Sequence, residues 1–190
     1  MHHELPQMSH TLGADLRALR RARGLTLAQT AQALGRSVGW LSQVERDKSD
    51  PSITDLRQIA AHFDVPVSIL FRHESAPAAE AGYIVRASAR RPIGSSVAGL
   101  VEELLSPDLT DDFEVVHSTF QPHSRIKEPV SRPTQEVGYV ISGALEIEIE
   151  GTAHMLCAGD SFRIRGEPFR WANRTPDPAV AIWVIAPPVY

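Results

Sequence analysis

The spacing of apolar residues changes once along this chain, near residue 75. Upstream the period is helical: Leu12, Leu16 and Leu19 recur at i, i+4 and i+7, with Thr11 placed to cap the helix and Gly24 placed to end it. Thr26 then precedes a second helix over 27–34. Ser37 opens a third, running to about Arg46, with Leu41 and Val44 turned inward. Pro51-Ser52 begins a fourth, where Ser52 and Asp55 have capping-box spacing and Ile53, Leu56, Ile59, Ala60 and Phe63 form the core stripe. A short fifth helix is expected after Pro66.

Residues 73–82, HESAPAAEAG, lose all apolar period and read as a linker. Beyond them the period is two. Leu145, Ile147 and Ile149 alternate with Glu146, Glu148 and Glu150, as in a strand with one dry and one wet face. Further strands are expected at 83–86, 113–120, 136–141, 161–164 and 180–185, with turn signals such as Ser142-Gly143, Glu150-Gly151 and Ala158-Gly159-Asp160 between several of them. Many short strands at regular spacing point to an antiparallel barrel or jelly roll. The expected organisation is therefore an all-α five-helix domain over 10–72, the linker over 73–82, and an all-β domain over 83–190. Residues 1–10 are polar and unpatterned, as in a loose arm.

A chain of 190 residues can hold two small cores. Its charge is uneven: residues 1–73 carry nine Lys/Arg against seven Asp/Glu, and the remainder ten against sixteen, or +2 and then −6. Arg17, Arg20, Arg21 and Arg23 crowd one segment, although charge alone favours a solvated helix face over a nucleic-acid contact. The single cysteine, Cys157, excludes an intrachain disulfide and is expected to be a buried, inert thiol. No apolar run nears the roughly 20 residues that span a bilayer, and the first residues lack a signal-peptide core, so a cytoplasmic protein with no membrane partner is expected.

Within 27–46, LAQTAQALGRSVGWLSQVER, Ala31, Gly35, Leu41 and Val44 occupy the small, turn and apolar slots of a helix-turn-helix. With Leu41-Ser42-Gln43-Val44-Glu45-Arg46 followed by Pro51-Ser52, the segment resembles the Xre/Cro/λ-repressor family. That resemblance implies a five-helix λ-repressor-like domain and a double-stranded DNA operator as partner. The third helix is then the reader, with Ser37, Val38, Gly39, Trp40, Ser42, Gln43 and Arg46 at the interface; a glutamine such as Gln43 can bond adenine through two hydrogen bonds.

Residues 128–151, EPVSRPTQEVGYVISGALEIEIEG, and 159–173, GDSFRIRGEPFRWAN, resemble the two sequence motifs of the cupins. Metal-binding cupins use two histidines and a glutamate from the first motif and a histidine from the second. Carried over residue by residue, those slots hold Val130, Arg132, Glu136 and Phe169. Only Glu136 could donate to a metal, and a guanidinium beside it would repel one. For His117, His123 and His154 a hydrogen-bonded or surface histidine is favoured over a ligand. No metal and no cofactor are expected. The interior is instead expected to hold Arg132, Glu136, Phe169, Trp171 and Trp183, where Arg132 and Glu136 either set the polarity of a ligand pocket or only pair with each other.

The two resemblances together imply a regulator rather than an enzyme: a homodimer, joined through its cupin half, whose operator affinity is controlled by a small effector such as an amino acid or related amine or carboxylate. The competing expectation is a metal-dependent cupin enzyme of dioxygenase or epoxidase type with an appended helical domain. It requires histidines at slots where this chain has none. A chromosome-associated protein without a sensing role is the third class, recognised by DNA binding indifferent to every metabolite.

Overall fold

The computed structural model describes residues 11–70, 79–80, 82–94, 97–107, 109 and 111–189. The expected arm over 1–10 and most of the expected linker lie outside the described residues. The chain divides into a helical unit that reaches Arg90 and also takes in Pro107–Thr110, and a β unit formed by Arg91–Ser106 and the chain from Asp111 onward.

The helical unit contains α1 (Leu12–Ala22), α2 (Leu27–Ala33), α3 (Val38–Val44) and α4 (Ile53–Phe63). Each starts at a hydroxyl that satisfies an otherwise orphaned amide: Thr11 accepts from the Ala14 N–H at 3.2 Å, Thr26 from Gln29, Ser37 from Trp40 and Ser52 from Asp55. Such a cap stabilises a helix by about 1 kcal/mol. Thr26 with Gln29 and Ser52 with Asp55 complete reciprocal capping boxes. Gly35 turns the chain between α2 and α3 at φ 63°, where a Cβ would be strained. Leu16, Leu19, Ala31, Leu41, Val44, Ile59 and Phe63 form the core, each at most 2% exposed.

Two expectations for this unit need correction. The fifth α-helix is a single 3-10 turn, Val67–Leu70, which buries Ile69 and Leu70. Asp64 has already left the helical region at φ 51°, and Pro66 brings no amide hydrogen, so only one short turn can form. Ile53 is 61% exposed rather than part of the core stripe. It is the first residue of α4, where no preceding turn exists for its side chain to pack on.

Among the described residues the β unit has nine strands: β1 (Arg91–Ile93), β2 (Leu100–Leu104), β3 (Glu114–Phe120), β4 (Gln135–Ser142), β5 (Ala144–Ile149), β6 (Thr152–Cys157), β7 (Ser161–Ile164), β8 (Phe169–Ala172) and β9 (Ala179–Ala186). They form a six-stranded sheet in the order β1-β2-β3-β9-β4-β7 and a three-stranded sheet in the order β6-β5-β8, all pairs antiparallel. Both sheets turn one face to a common core that includes Val116, Phe120, Leu145, Ile147, Phe169 and Trp183. At Gly138 of β4 the ring of its β7 partner Phe162 lies so close that a Cβ would meet it at 2.1 Å, so the ring's position over the strand depends on glycine.

Residues 83–86 are not a strand; the sheet begins at β1, after a 3-10 turn at Ala87–Ala89. Cys157 is exposed, because it ends β6, whose residues are exposed apart from half-buried Leu156. Among the described residues no helix is long and apolar enough to cross a membrane.

Candidate functional site

The surface of α3 follows from the burial of its other side. Leu41 and Val44 point into the core, leaving Val38, Gly39 and Gln43 exposed, with Trp40 and Ser42 half-buried. The hydroxyl of Ser37 is occupied in capping, since it accepts from the Trp40 amide at 3.0 Å. Arg46 is exposed and donates from Nε to the Ser42 carbonyl at 2.9 Å, folding its guanidinium back along the helix end. All seven expected interface residues therefore lie on one short segment.

Arg36 belongs beside them and escaped the sequence reading. Its guanidinium sits 5.2 Å from the Trp40 ring centroid and is ion-paired to buried Asp55 of α4. Asp55 is held below the usual carboxylate range, first by the Ser52 hydroxyl and then by Arg36. The indole thus has a fixed cation against its ring. A basic residue at the first position after the turn glycine is the signal that could have pointed to it.

The arginine cluster of α1 divides in two. Arg20 is buried and grips Glu45 through two hydrogen bonds, Nε to Oε1 at 2.6 Å and Nη2 to Oε2 at 2.8 Å, while Nη1 donates to the Leu25 carbonyl. Arg23 donates to the Phe63 carbonyl. These two hold the helices together, and only Arg17 and Arg21 keep the character of a solvated cationic face.

In the β unit, alternation along the strands decides what enters the interior. On β4, Glu136 is 1% exposed; on β9, Trp183 faces the same way. The Trp183 indole N–H donates to Glu136 Oε2 at 2.7 Å, and the Thr134 hydroxyl donates to Oε1 at 2.6 Å. Trp183 also meets Phe169, with ring centroids 5.8 Å apart, and Arg132 lies over the Phe169 ring at 5.9 Å. So Arg132, Phe169, Trp183 and Glu136 form one line of contacts. Trp171 packs elsewhere, edge-on to Phe120 at 4.7 Å. Arg132 and Glu136 do not bond to each other: Glu136 is satisfied by neutral donors, and among the described residues Arg132 makes no ion pair.

Two further carboxylates enter this interior. Glu114 of β3 and Glu136 of β4 flank Ile185 of β9 from opposite sides, and Glu102 of β2 stands opposite Ser118 of β3. Glu114 is 2% exposed and pushed up to about 7 by burial, with Arg132 pulling the other way. One of its oxygens accepts from the Val189 amide at 3.2 Å; the other, Oε2, is buried without a partner among the described residues. Burial also raises Glu102, against the pull of Arg132. The signal missed in the sequence is the alternation Glu114, Val116, Ser118, Phe120, which puts a carboxylate and a hydroxyl on the dry face.

These residues do not fit the metal that many cupins hold. The slots of Val130 and Phe169 are adjacent, joined by two backbone hydrogen bonds of 2.8 and 2.9 Å, yet neither side chain can donate. Both oxygens of Glu136 are already engaged. Among the described residues no group of three His, Cys, Asp or Glu has the spacing to hold an ion.

Residues 11–68 match the helix-turn-helix domain family and residues 116–185 the cupin domain family. The HTH-type transcriptional regulator PuuR of Escherichia coli is 26% identical over 165 residues, which cover 85% of this chain and 86% of that protein. SutR, another HTH-type transcriptional regulator of Escherichia coli, is 36% identical over 64 residues, 34% of this chain and 36% of its own. Among solved structures, an HTH_3 family transcriptional regulator from Vibrio cholerae covers 93% of this chain and 95% of its own at 25% identity, with a TM-score of 0.46.

Proposed function

We propose that this chain, a helix-turn-helix transcriptional regulator of the Xre type carrying a cupin domain, binds a pseudo-palindromic operator as a homodimer in the cytoplasm. Its operator affinity is set by a small amine-bearing metabolite held in the β interior without a metal. The observation that carries the effector class is the buried Oε2 of Glu114, which has no partner among the described residues. A buried carboxylate oxygen without a donor costs roughly 1–3 kcal/mol or more, and a ligand ammonium removes that cost by supplying the missing hydrogen bond and charge. Glu102 and Ser118 add acceptors on the same inner face. Arg132, which has no ion-pair partner among the described residues, suits a carboxylate on the same ligand, so an amino acid satisfies both ends.

On the DNA side, α3 enters the major groove with Val38, Gly39, Trp40, Ser42 and Gln43 towards the bases, while Ser37 and Arg46 lie near the backbone. A single module of this kind reads few base pairs, and two copies on half-sites about 34 Å apart supply the specificity. An effector that prefers one conformer shifts operator affinity by its differential binding free energy, typically 1–3 kcal/mol. An enzyme of the metal-dependent cupin type would need donors that Val130 and Phe169 cannot give.

The test is to denature the purified protein, identify released small molecules by mass spectrometry, and titrate them against operator binding in wild type and Glu114→Gln. Release of an amine whose effect on DNA binding is lost in Glu114→Gln supports the proposal. Stoichiometric transition metal by elemental analysis, removable by chelator together with the response, overturns it.

A further inference from the structure

The outer face of the six-stranded sheet carries a surface that the sensing and DNA-binding roles do not use. Outward residues of neighbouring strands fall into rows across it. One row runs Val115, Val184, Val137 and Arg163; the next runs Glu103, His117, Ile182, Tyr139 and Ser161. Val101 and Ile141 extend the apolar area at the adjoining end. Val101, Val137, Tyr139, Ile141 and Val184 are between 36% and 49% exposed, although most outward positions of a solvated sheet are polar.

With strands about 4.8 Å apart and about 3.4 Å per residue, five strands by five residues make a face of about 400 Å² in plan. That is the area of the whole face, polar positions included, and about half of the ~800 Å² per partner that a stable interface buries. The polar rim can supply the rest. Its charges are ordered across the strands. Glu103, with His117 Nδ1 at 3.7 Å, stands at the β2 side, and Arg163 stands at the β7 side.

We propose that this face is where a second copy of the chain seats, stacked sheet on sheet about a two-fold axis that runs along β9. The proposal rests on the dimeric reading above and names its surface and orientation. Such an axis exchanges the two sides of the sheet, so each Glu103 faces the basic β7 side of the partner, while β3 lies over β4. Val115 then packs on Val137 and His117 on Tyr139, and Ile182 and Val184 meet their own copies at the axis. Acidic side, apolar centre and basic side are complementary to themselves in this orientation alone. An axis perpendicular to the strands would set Glu103 against Glu103. Aligned packing of twisted sheets, with strands crossing at about 30°, accommodates the arrangement.

The experiment uses the full chain in sedimentation velocity, with circular dichroism to check folding. Wild type is expected at the dimer mass, and Ile182→Glu, an outward position, at the monomer mass, with dimer dissociation raised at least a hundredfold. In a Cys157→Ser background, Val184→Cys is expected to cross-link readily with a short bismaleimide, since two copies meet at the axis across the ~10 Å that separates stacked sheets, too wide for a disulfide. Val101→Cys lies two strands from the axis and is expected not to. This pair reads the interface even if Ile182→Glu fails to fold. A dimer that survives Ile182→Glu, or cross-linking at Val101→Cys in preference to Val184→Cys, overturns this face and leaves the dimeric reading standing. A wild-type chain that is monomeric at every concentration overturns both.

Discussion

Trp183 and Glu136 are joined by a buried hydrogen bond of 2.7 Å between β9 and β4, and both residues are at most 6% exposed. The indole N–H satisfies the carboxylate oxygen that a metal would otherwise claim.

Trp183→Phe keeps the ring and removes the donor. It leaves Glu136 Oε2 buried without its partner and is expected to cost about 1–3 kcal/mol of stability. Urea unfolding of the β unit's transition measures this. A midpoint within error of wild type would mean the bond contributes nothing.

Gln43→Ala is expected to weaken operator binding by about 1–3 kcal/mol and to relax preference at one base pair, because Gln43 is exposed on the α3 surface. Fluorescence anisotropy against operator variants at fixed salt reads both quantities. Trp40→Ala separates two roles: its ring meets the Arg36 guanidinium and its backbone amide keeps the Ser37 cap, so operator affinity should fall while the helical unit's unfolding midpoint changes little.

Glu45→Ala leaves the Arg20 guanidinium buried without its carboxylate and is expected to cost about 3–5 kcal/mol of helical-unit stability. Arg20→Met together with Glu45→Leu should recover much of that loss, since neither charge is then stranded. Thermal melts of the single and double variants decide it. A loss in the double variant equal to the sum of the singles would contradict the pairing.

Glu114 gives a pH signature. Its carboxyl ordinarily titrates near 4.5 and is pushed up to about 7 by burial in the fold. Between those values the folded state holds a proton that the unfolded state has lost, so stability falls as pH rises from about 5 to 7 and levels off above. The full effect is about 3 kcal/mol, and Glu114→Gln should flatten the curve. Affinity for a cationic effector should move the opposite way, rising through pH 7 as the carboxylate appears. Calorimetric titration of the amine between pH 6 and 8 checks this sign.

The helical unit was legible because its determinants are local. Thr11, Thr26, Ser37 and Ser52 each cap a helix within three residues, and Gly35 turns the chain by its own φ. Leu41 and Val44 are assigned to the core by helical period alone. The failures at Ile53 and Val67–Leu70 sit at element ends, where period has no neighbour to act on. Alternation likewise disclosed several strands of the β unit, while the resemblance to the cupin motif is what placed Glu136 in the interior.

Tertiary structure alone decided what meets there. Trp183 is 47 residues from the carboxylate it bonds, and Glu114 reaches the same chamber across Ile185 of β9. Arg132 lies 5.9 Å from the ring of Phe169, the residue paired with Val130, yet among the described residues it bonds none of the glutamates, since Trp183 and Thr134 have already satisfied Glu136. Such contacts depend on strand order and register, β3-β9-β4. A single sequence encodes the face each residue takes along its own strand; which strands lie side by side is settled by the free energy of closing the whole sheet.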